Sequence, residues 1–476
     1  MYTQDYSDCL EYIDAYWDKI IHEPSSKRVK RRLAGIYYTD INLEDTHKSK
    51  KYHSIAVPYN YFTPNDRKFT FIFYWDSFFM FKALMGTKRQ PLMRDMVGNF
   101  VHLFNTLGFI PNFNAPASLG RSQPPFLSSM IMDIYTSEFH IHSNRSRGEK
   151  MVPFAHRMVY KRWMTSMIEV AKKEYETVWV DKERLFNHSV EGYELARYGD
   201  RDVGYAHSSE LESGWDMTSR FYNRCDQFLP IDLNIYLYKY ETDFIQAAKI
   251  LKNKTDETHW TNRAARRKKA INELLWDEKE GFFFDYGYSY KKISNFYSLA
   301  GFTPLWGGLA TIDQAKRMVE KLPKFETPYG LMINAKESLA NSIDLSKIQK
   351  RYLPAIEAII KPKQWDYPNI WSPLEYLTVI GLLRYGFITE AKRIMENSVK
   401  AHSRLFRKHG TFFEKINGET GELPINHSHY INQPGFGWTN AAFFRYIHIL
   451  DAIESSKEIY VQPKSSLPPY ELAILH

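Results

Sequence analysis

The chain has 476 residues, a formal net charge of +8, and 44% hydrophobic and 25% charged residues. That apolar share supports a real core, and the basic residues are spread too thinly for a nucleic-acid surface, the densest runs being 27–32 and 263–269. Only two cysteines are present, Cys9 and Cys225, which excludes a disulfide framework and argues against a zinc site.

The first twenty residues mix acids with apolar side chains and lack the charged-then-apolar pattern of a signal segment. No run of about 18 uninterrupted apolar residues follows, so no membrane span is expected and a cytoplasmic location is. Residues 1–67 are expected to form an N-terminal helix and an extended arm, with β-like residues through 55–75. Apolar residues then recur at three- and four-residue spacing over 78–87, 92–107, 155–174, 230–252 and 257–276. The same spacing predicts helices over 311–321, 372–385, 387–402 and 438–454. Pro91, and Pro230 with Asp232, supply helix-start signals. Pro-, Gly- and Asn-rich connections lie between them, at 109–125, 199–216, 322–332, 362–373 and 408–437. No linker or composition break divides the chain. One large all-helical domain is expected, with its chemistry on the loops.

Aromatic residues reach 16%, with 33 Tyr, 31 Phe and 11 Trp. Several stand beside carboxylates: Phe73-Tyr-Trp-Asp76, Glu212-Ser-Gly-Trp-Asp216 with Arg220 four residues on, and Gln364-Trp-Asp366 leading to Trp371. Such pairs suit a sugar, whose C–H faces stack on indole while its hydroxyls donate to carboxylate oxygens. Asp76 and Asp216 would also serve as helix N-caps. Glycosidic hydrolysis needs two carboxyl groups, and a second candidate is Glu414, which follows Phe412 and Phe413. In Gly120-Arg-Ser-Gln-Pro-Pro125 two prolines stiffen a loop from which Arg121 and Gln123 project, with the amides of Asn112 and Asn114 just before. The glycines of Pro434-Gly-Phe-Gly-Trp438 permit close backbone approach beneath a tryptophan. The sixteen histidines form no strong metal spacing, the nearest pair being His427 and His429, so neither metal nor organic cofactor is expected.

In combination these motifs resemble the trehalases of glycoside hydrolase family 37. Gln364-Trp-Asp-Tyr-Pro-Asn-Ile-Trp-Ser-Pro373 looks like that family's second signature. Arg121-Ser-Gln-Pro-Pro125, Glu212-Ser-Gly-Trp-Asp216 and Gly435-Phe-Gly-Trp-Thr-Asn440 resemble its other landmarks, in the family's order, and the match runs from about residue 70 to 445. The resemblance implies a single (α/α)6-barrel catalytic domain over 1–476 and inverting hydrolysis of a small α-glycoside, trehalose first. It makes Asp216 the general acid and Glu414 the general base. Trp75, Asp76, Asn112, Arg121 and Gln123 match sugar-binding positions, and Trp365 or Trp371 would wall the pocket. Phe73, Trp215, Arg220, His429 and Trp438 complete the substrate-binding candidates.

The sequence also departs from the family pattern. Lys68 stands for an arginine, Phe71 for a glutamate, Phe73 for a tyrosine, and residues 426–430 for a glycine-rich segment, with His429 in place of its glutamate. Lysine does not reproduce the bidentate contacts of arginine. The related family 63 has a similar acid motif and barrel, which implies a glucosylglycerate or mannosylglycerate hydrolase as the alternative, with Lys68 and His429 suiting an anionic aglycone. A sugar-binding protein without activity is the third reading. The expected partner is a small carbohydrate, with neither nucleic acid nor membrane, and the chain is expected as a monomer or small homo-oligomer.

Overall fold

The computed structural model describes residues 1–25, 31–33, 36–43, 50–143, 154–180, 186–199, 206–340, 362–425 and 431–455. Helix α1 is Ser7–Ile20, α2 Tyr74–Phe81, α3 Pro91–Leu107, α4 Leu127–Ser143, α5 Phe154–Glu174 and α6 Ile231–Leu251. Helix α7 is Lys254–Leu274, α8 Thr303–Trp306, α9 Ile312–Val319, α10 Ser372–Arg384, α11 Ile388–His409 and α12 Gly437–Ser455. The even-numbered helices pack in sequence, α2 on α4, α4 on α6, α6 on α8, α8 on α10 and α10 on α12, and α12 returns to α2. That closed ring is lined outside by the odd-numbered helices, giving an (α/α)6 barrel.

Burial sets the pattern that each helix carries in the sequence. An outer helix such as α11 buries Ala391, Ile394, Met395, Ser398, Val399 and His402, one stripe at three- and four-residue spacing, and leaves its other face to water. The inner helices touch protein on all sides. Every residue from Leu127 to Glu138 in α4 is buried, so no polar face marks it, and α8 is only four residues long. Apolar spacing predicts α3, α5, α6, α7, α9, α10, α11 and α12 but neither α4 nor α8; burial alone does not divide them, since α10 is buried from Ser372 to Leu383 and its apolar residues still fall at helical spacing. Chain punctuation sets the ends. Pro91 opens α3, Thr311 and Gln314 cap α9 reciprocally, and Gly410, with φ of 71°, closes α11.

The N-terminal helix is a barrel member, not an appendage. Helix α1 packs on α12, so the two ends of the chain close the ring together. Strand Ile21–His22 pairs antiparallel with Tyr61–Phe62, and Ile36–Leu43 pairs with Lys50–Ile55, so part of the expected arm is sheet. Beyond it Phe73 bridges to Phe113, and helix α2 starts at Tyr74, four residues before the expected start. No helix among the described residues is long and apolar enough to cross a membrane.

Candidate active site

The chain turns sharply at Gly214, where φ is +75° and a Cβ would lie 2.6 Å from the Trp75 ring, so only glycine fits. The buried Glu212 carboxylate bolts this turn to its neighbours. It accepts hydrogen bonds from the amides of Ser122 (2.9 Å) and Gly199 (2.7 Å) and pairs with His188 Nε2 at 2.8 Å. The 362–371 loop clamps the turn from the other side. Gln364 Nε2 donates to the Asp216 carbonyl at 2.9 Å, and the Trp365 amide to the Met217 carbonyl at 3.1 Å. Asp366 accepts from the Ser219 amide (2.8 Å), Ser219 Oγ (2.7 Å) and the Lys363 amide (2.8 Å). Of the acids in these two motifs, Glu212 and Asp366 are thus committed to the protein. The Asp216 backbone is fixed while its carboxyl has no hydrogen-bond partner among the described residues.

That carboxyl faces a cleft of about 500 Å³ which also gathers Phe73, Asn112, Arg121 and Gln123, with Lys68 and Phe71. Asn112 Nδ2 donates to the Leu211 carbonyl at 3.1 Å, and Gln123 Oε1 accepts from the Trp75 amide at 3.0 Å, so both side chains are locked in place. Arg121 Nε is buried and without a hydrogen-bond partner, a donor held ready for an incoming acceptor. The surroundings push the Asp216 carboxyl up to about 7. Removal from water is the largest cause; Arg121 opposes it, and the charges of Glu210 and Glu414 add to it. Asp76, 4% exposed, is held well above the usual carboxylate range, first by burial and then by the charges of Glu414 and Asp216. Asp76, Asp216 and Glu414 therefore lie within each other's fields.

Glu414 is 1% exposed and does not line the cleft. Lys415 Nζ sits 2.9 Å from Glu414 Oε2, an ion pair sealed from water on both sides. The main chain is held as tightly: the Glu414 amide donates to the Gln433 carbonyl at 2.9 Å, and Trp438 Nε1 donates to the Glu414 carbonyl at 3.1 Å. Lys415 also lies 4.7 Å over the Trp371 ring. Sequence reading passed over Lys415 and Glu210, although the adjacency of Lys415 to Glu414 was visible.

The tryptophans form a packed floor and not an exposed wall. Trp365 and Trp371 stack on each other at 3.8 Å and 9°, and Trp75 and Trp215 lie 5.7 and 5.6 Å from Trp365. Trp438 closes on Trp371 at 5.9 Å, and none of the five is more than 5% exposed. Arg220 is likewise corrected from a substrate contact to a support. Its fully buried guanidinium binds both oxygens of Asp232 (2.7 and 2.9 Å) and both of Asp285 (2.8 and 2.6 Å), 4.6 Å over the Trp215 ring. The charge that looked available for hydroxyls is taken up by two carboxylates. His429 lies outside the described residues. Among the described residues no group of three or more His, Cys, Asp or Glu side chains converges as metal ligands would.

Known proteins share this fold. The family model described as Trehalase matches residues 3–212 and 202–452. Neutral trehalase Nth1 from Saccharomyces cerevisiae is 26% identical and superposes with a TM-score of 0.66, over 87% of this chain and 76% of that one. A family 63 mannosylglycerate hydrolase from Thermus thermophilus, solved with glucose, is 16% identical and superposes with a TM-score of 0.55, over 81% of this chain and 95% of that one.

Proposed function

The chain belongs to the trehalase family, and from that premise we propose that it is an inverting hydrolase of a small α-glucoside, trehalose first, with Asp216 as general acid and Glu414 as general base. The observation that carries this reading is the contrast between the settings of the two carboxyl groups, one unpaired in the cleft and one in a buried ion pair. Asp216 is held near 7 and unpaired in the cleft, as a proton donor must be at neutral pH, while Glu414 is the anionic half of an ion pair. As the bond between C1 and the glycosidic oxygen breaks, the Asp216 proton passes to the departing oxygen. A water gives one proton to Glu414 and bonds to C1 from the opposite face, so the first product is β-glucose. Inversion of this kind requires about 6.5–9.5 Å between the carboxyl groups to admit the water. Arg121 Nε and Asp76 would hold hydroxyls of the reacting sugar.

Lys68 on the cleft lining is the ground for a second reading, in which an acidic leaving group such as glycerate adds to the contacts Lys68 already makes within the protein. Glucose and reducing-sugar release from trehalose, glucosylglycerate and mannosylglycerate separates the two. The main reading expects release from trehalose that Asp216→Asn and Glu414→Gln each abolish. Release from the glycerate glycosides alone would transfer it to the second reading. Sugar binding without turnover of any of them would overturn both.

A further inference from the structure

The lining of the cleft divides into two unlike groups. Asp216, Arg121, Asn112 and Gln123 supply charge and amides. Phe71, Phe73 and Phe113 form a continuous wall, Phe113 lying 5.4 Å from Phe71 and 5.0 Å from Phe73, and Ala115, Pro116 and Ala117 extend it toward the mouth. None of these six side chains carries a donor or acceptor. Lys68 and His53, further polar residues on the lining, each already have a partner within the protein.

A leaving sugar laid along this wall would present hydroxyls to phenyl rings and methyl groups. Each hydroxyl stripped of water without a partner counts against binding, whereas a flat apolar ring gains both buried area and offset stacking on the phenylalanines. Resting on the reading of Asp216 as the acid, we infer that the leaving-group side of this site accepts an apolar ring, so that the α-glucoside of an aryl-methyl alcohol is hydrolysed at least as well as trehalose. The step balances without any co-reactant. The bond from C1 to the benzyl oxygen breaks and that oxygen takes the Asp216 proton. Water delivers hydroxide to C1 and its second proton to Glu414, giving glucose and benzyl alcohol.

Two measurements on the whole chain test the inference. In turnover, benzyl α-glucoside is compared with methyl α-glucoside and trehalose, all three having alcohols as leaving groups. In binding, the non-hydrolysable benzyl and methyl 1-thio-α-glucosides are titrated calorimetrically. The expected result is about a tenfold preference for benzyl over methyl in both, the scale that an added apolar group contributes in a fitted pocket. Phe71→Glu should erase that preference, and so should Ala117→Glu, whose exposed position leaves folding undisturbed. Equal binding of the two thioglucosides, or a higher kcat/KM for trehalose than for benzyl α-glucoside, would overturn the inference and leave the hydrolase standing. Absence of turnover on all three with the binding preference intact would instead overturn the hydrolase and keep the apolar subsite.

Discussion

The turn around Asp216 and the segment around Glu414 each deliver one carboxyl group, and they hold it in contrasting ways. Around Asp216 the backbone is clamped through the Asp216 and Met217 carbonyls, while the side chain is left in a cleft opposite an arginine with a vacant donor. Around Glu414 the side chain itself is captured, 2.9 Å from Lys415 Nζ and 1% exposed, with a tryptophan bonded to its carbonyl. A group that must give up and regain a proton is kept loose and near neutrality. Glu414, proposed to take a proton from the attacking water, starts paired and walled in. The difference lies in what is built around each carboxyl, since the chain offers the same functional group twice, and the proposed roles of acid and base follow from it.

The contrast breaks most visibly through the carboxyls themselves. Glu414→Gln should lower kcat on every substrate by at least about 10³-fold, within the range for removing a general base. Asp216→Asn should do the same on trehalose but cost only about tenfold on 4-nitrophenyl α-glucoside, whose leaving group departs without a proton. Equal losses on both substrates in both variants would erase the distinction between acid and base. Lys415→Met comes next, because it strands a buried carboxylate. Urea unfolding should show a loss of about 3–5 kcal/mol, and Lys415→Arg should recover part of it. Arg121→Lys is milder. It replaces the vacant Nε donor with an ammonium of different reach, and should raise KM about tenfold while leaving the melting temperature unchanged.

A further effect is the dependence of stability on pH. The folded state holds the Asp216 proton up to about 7, whereas the unfolded chain releases it near the ordinary value of 3.8. A raised acid means that stability falls as pH rises through that window. Asp216→Asn should therefore melt higher than the wild type above pH 7 and alike below about pH 4, in calorimetric scans. The same ionisation predicts that kcat/KM on trehalose declines as pH rises through about 7.

Outer helices such as α11 were legible because one face meets water, and the buried inner helix α10 kept an apolar spacing; α4 was not, because Ser128, Ser129, Asp133, Thr136, Ser137 and Glu138 interrupt its apolar residues although all are buried, and α8 is only four residues long. Asn112, Arg121, Gln123 and Asp216 were singled out from their motifs and the family resemblance, and the structure gathers them in one cleft. Their neighbours were misread for a physical reason. Arg220 sits at a helical spacing from Asp216, yet its fate is decided by Asp232 and Asp285, twelve and sixty-five residues further along. Asp366 follows a tryptophan as Asp216 does, and Glu212 lies in the same motif, yet both differ from Asp216 in the long-range amides that claim them. The tryptophans looked like sugar platforms, but each is covered by the others. Long-range satisfaction of buried polar groups has no local signature.

Asp216 and Glu414 are proposed to act on opposite faces of C1 in a single displacement. Proton NMR of the anomeric region during the first minutes of trehalose hydrolysis tests it most directly, before mutarotation mixes the products. One β-glucose appearing for each α-glucose released is the predicted result. Release of α-glucose alone would mean retention through a covalent intermediate, and would contradict the assignment of Glu414 as a base acting on water.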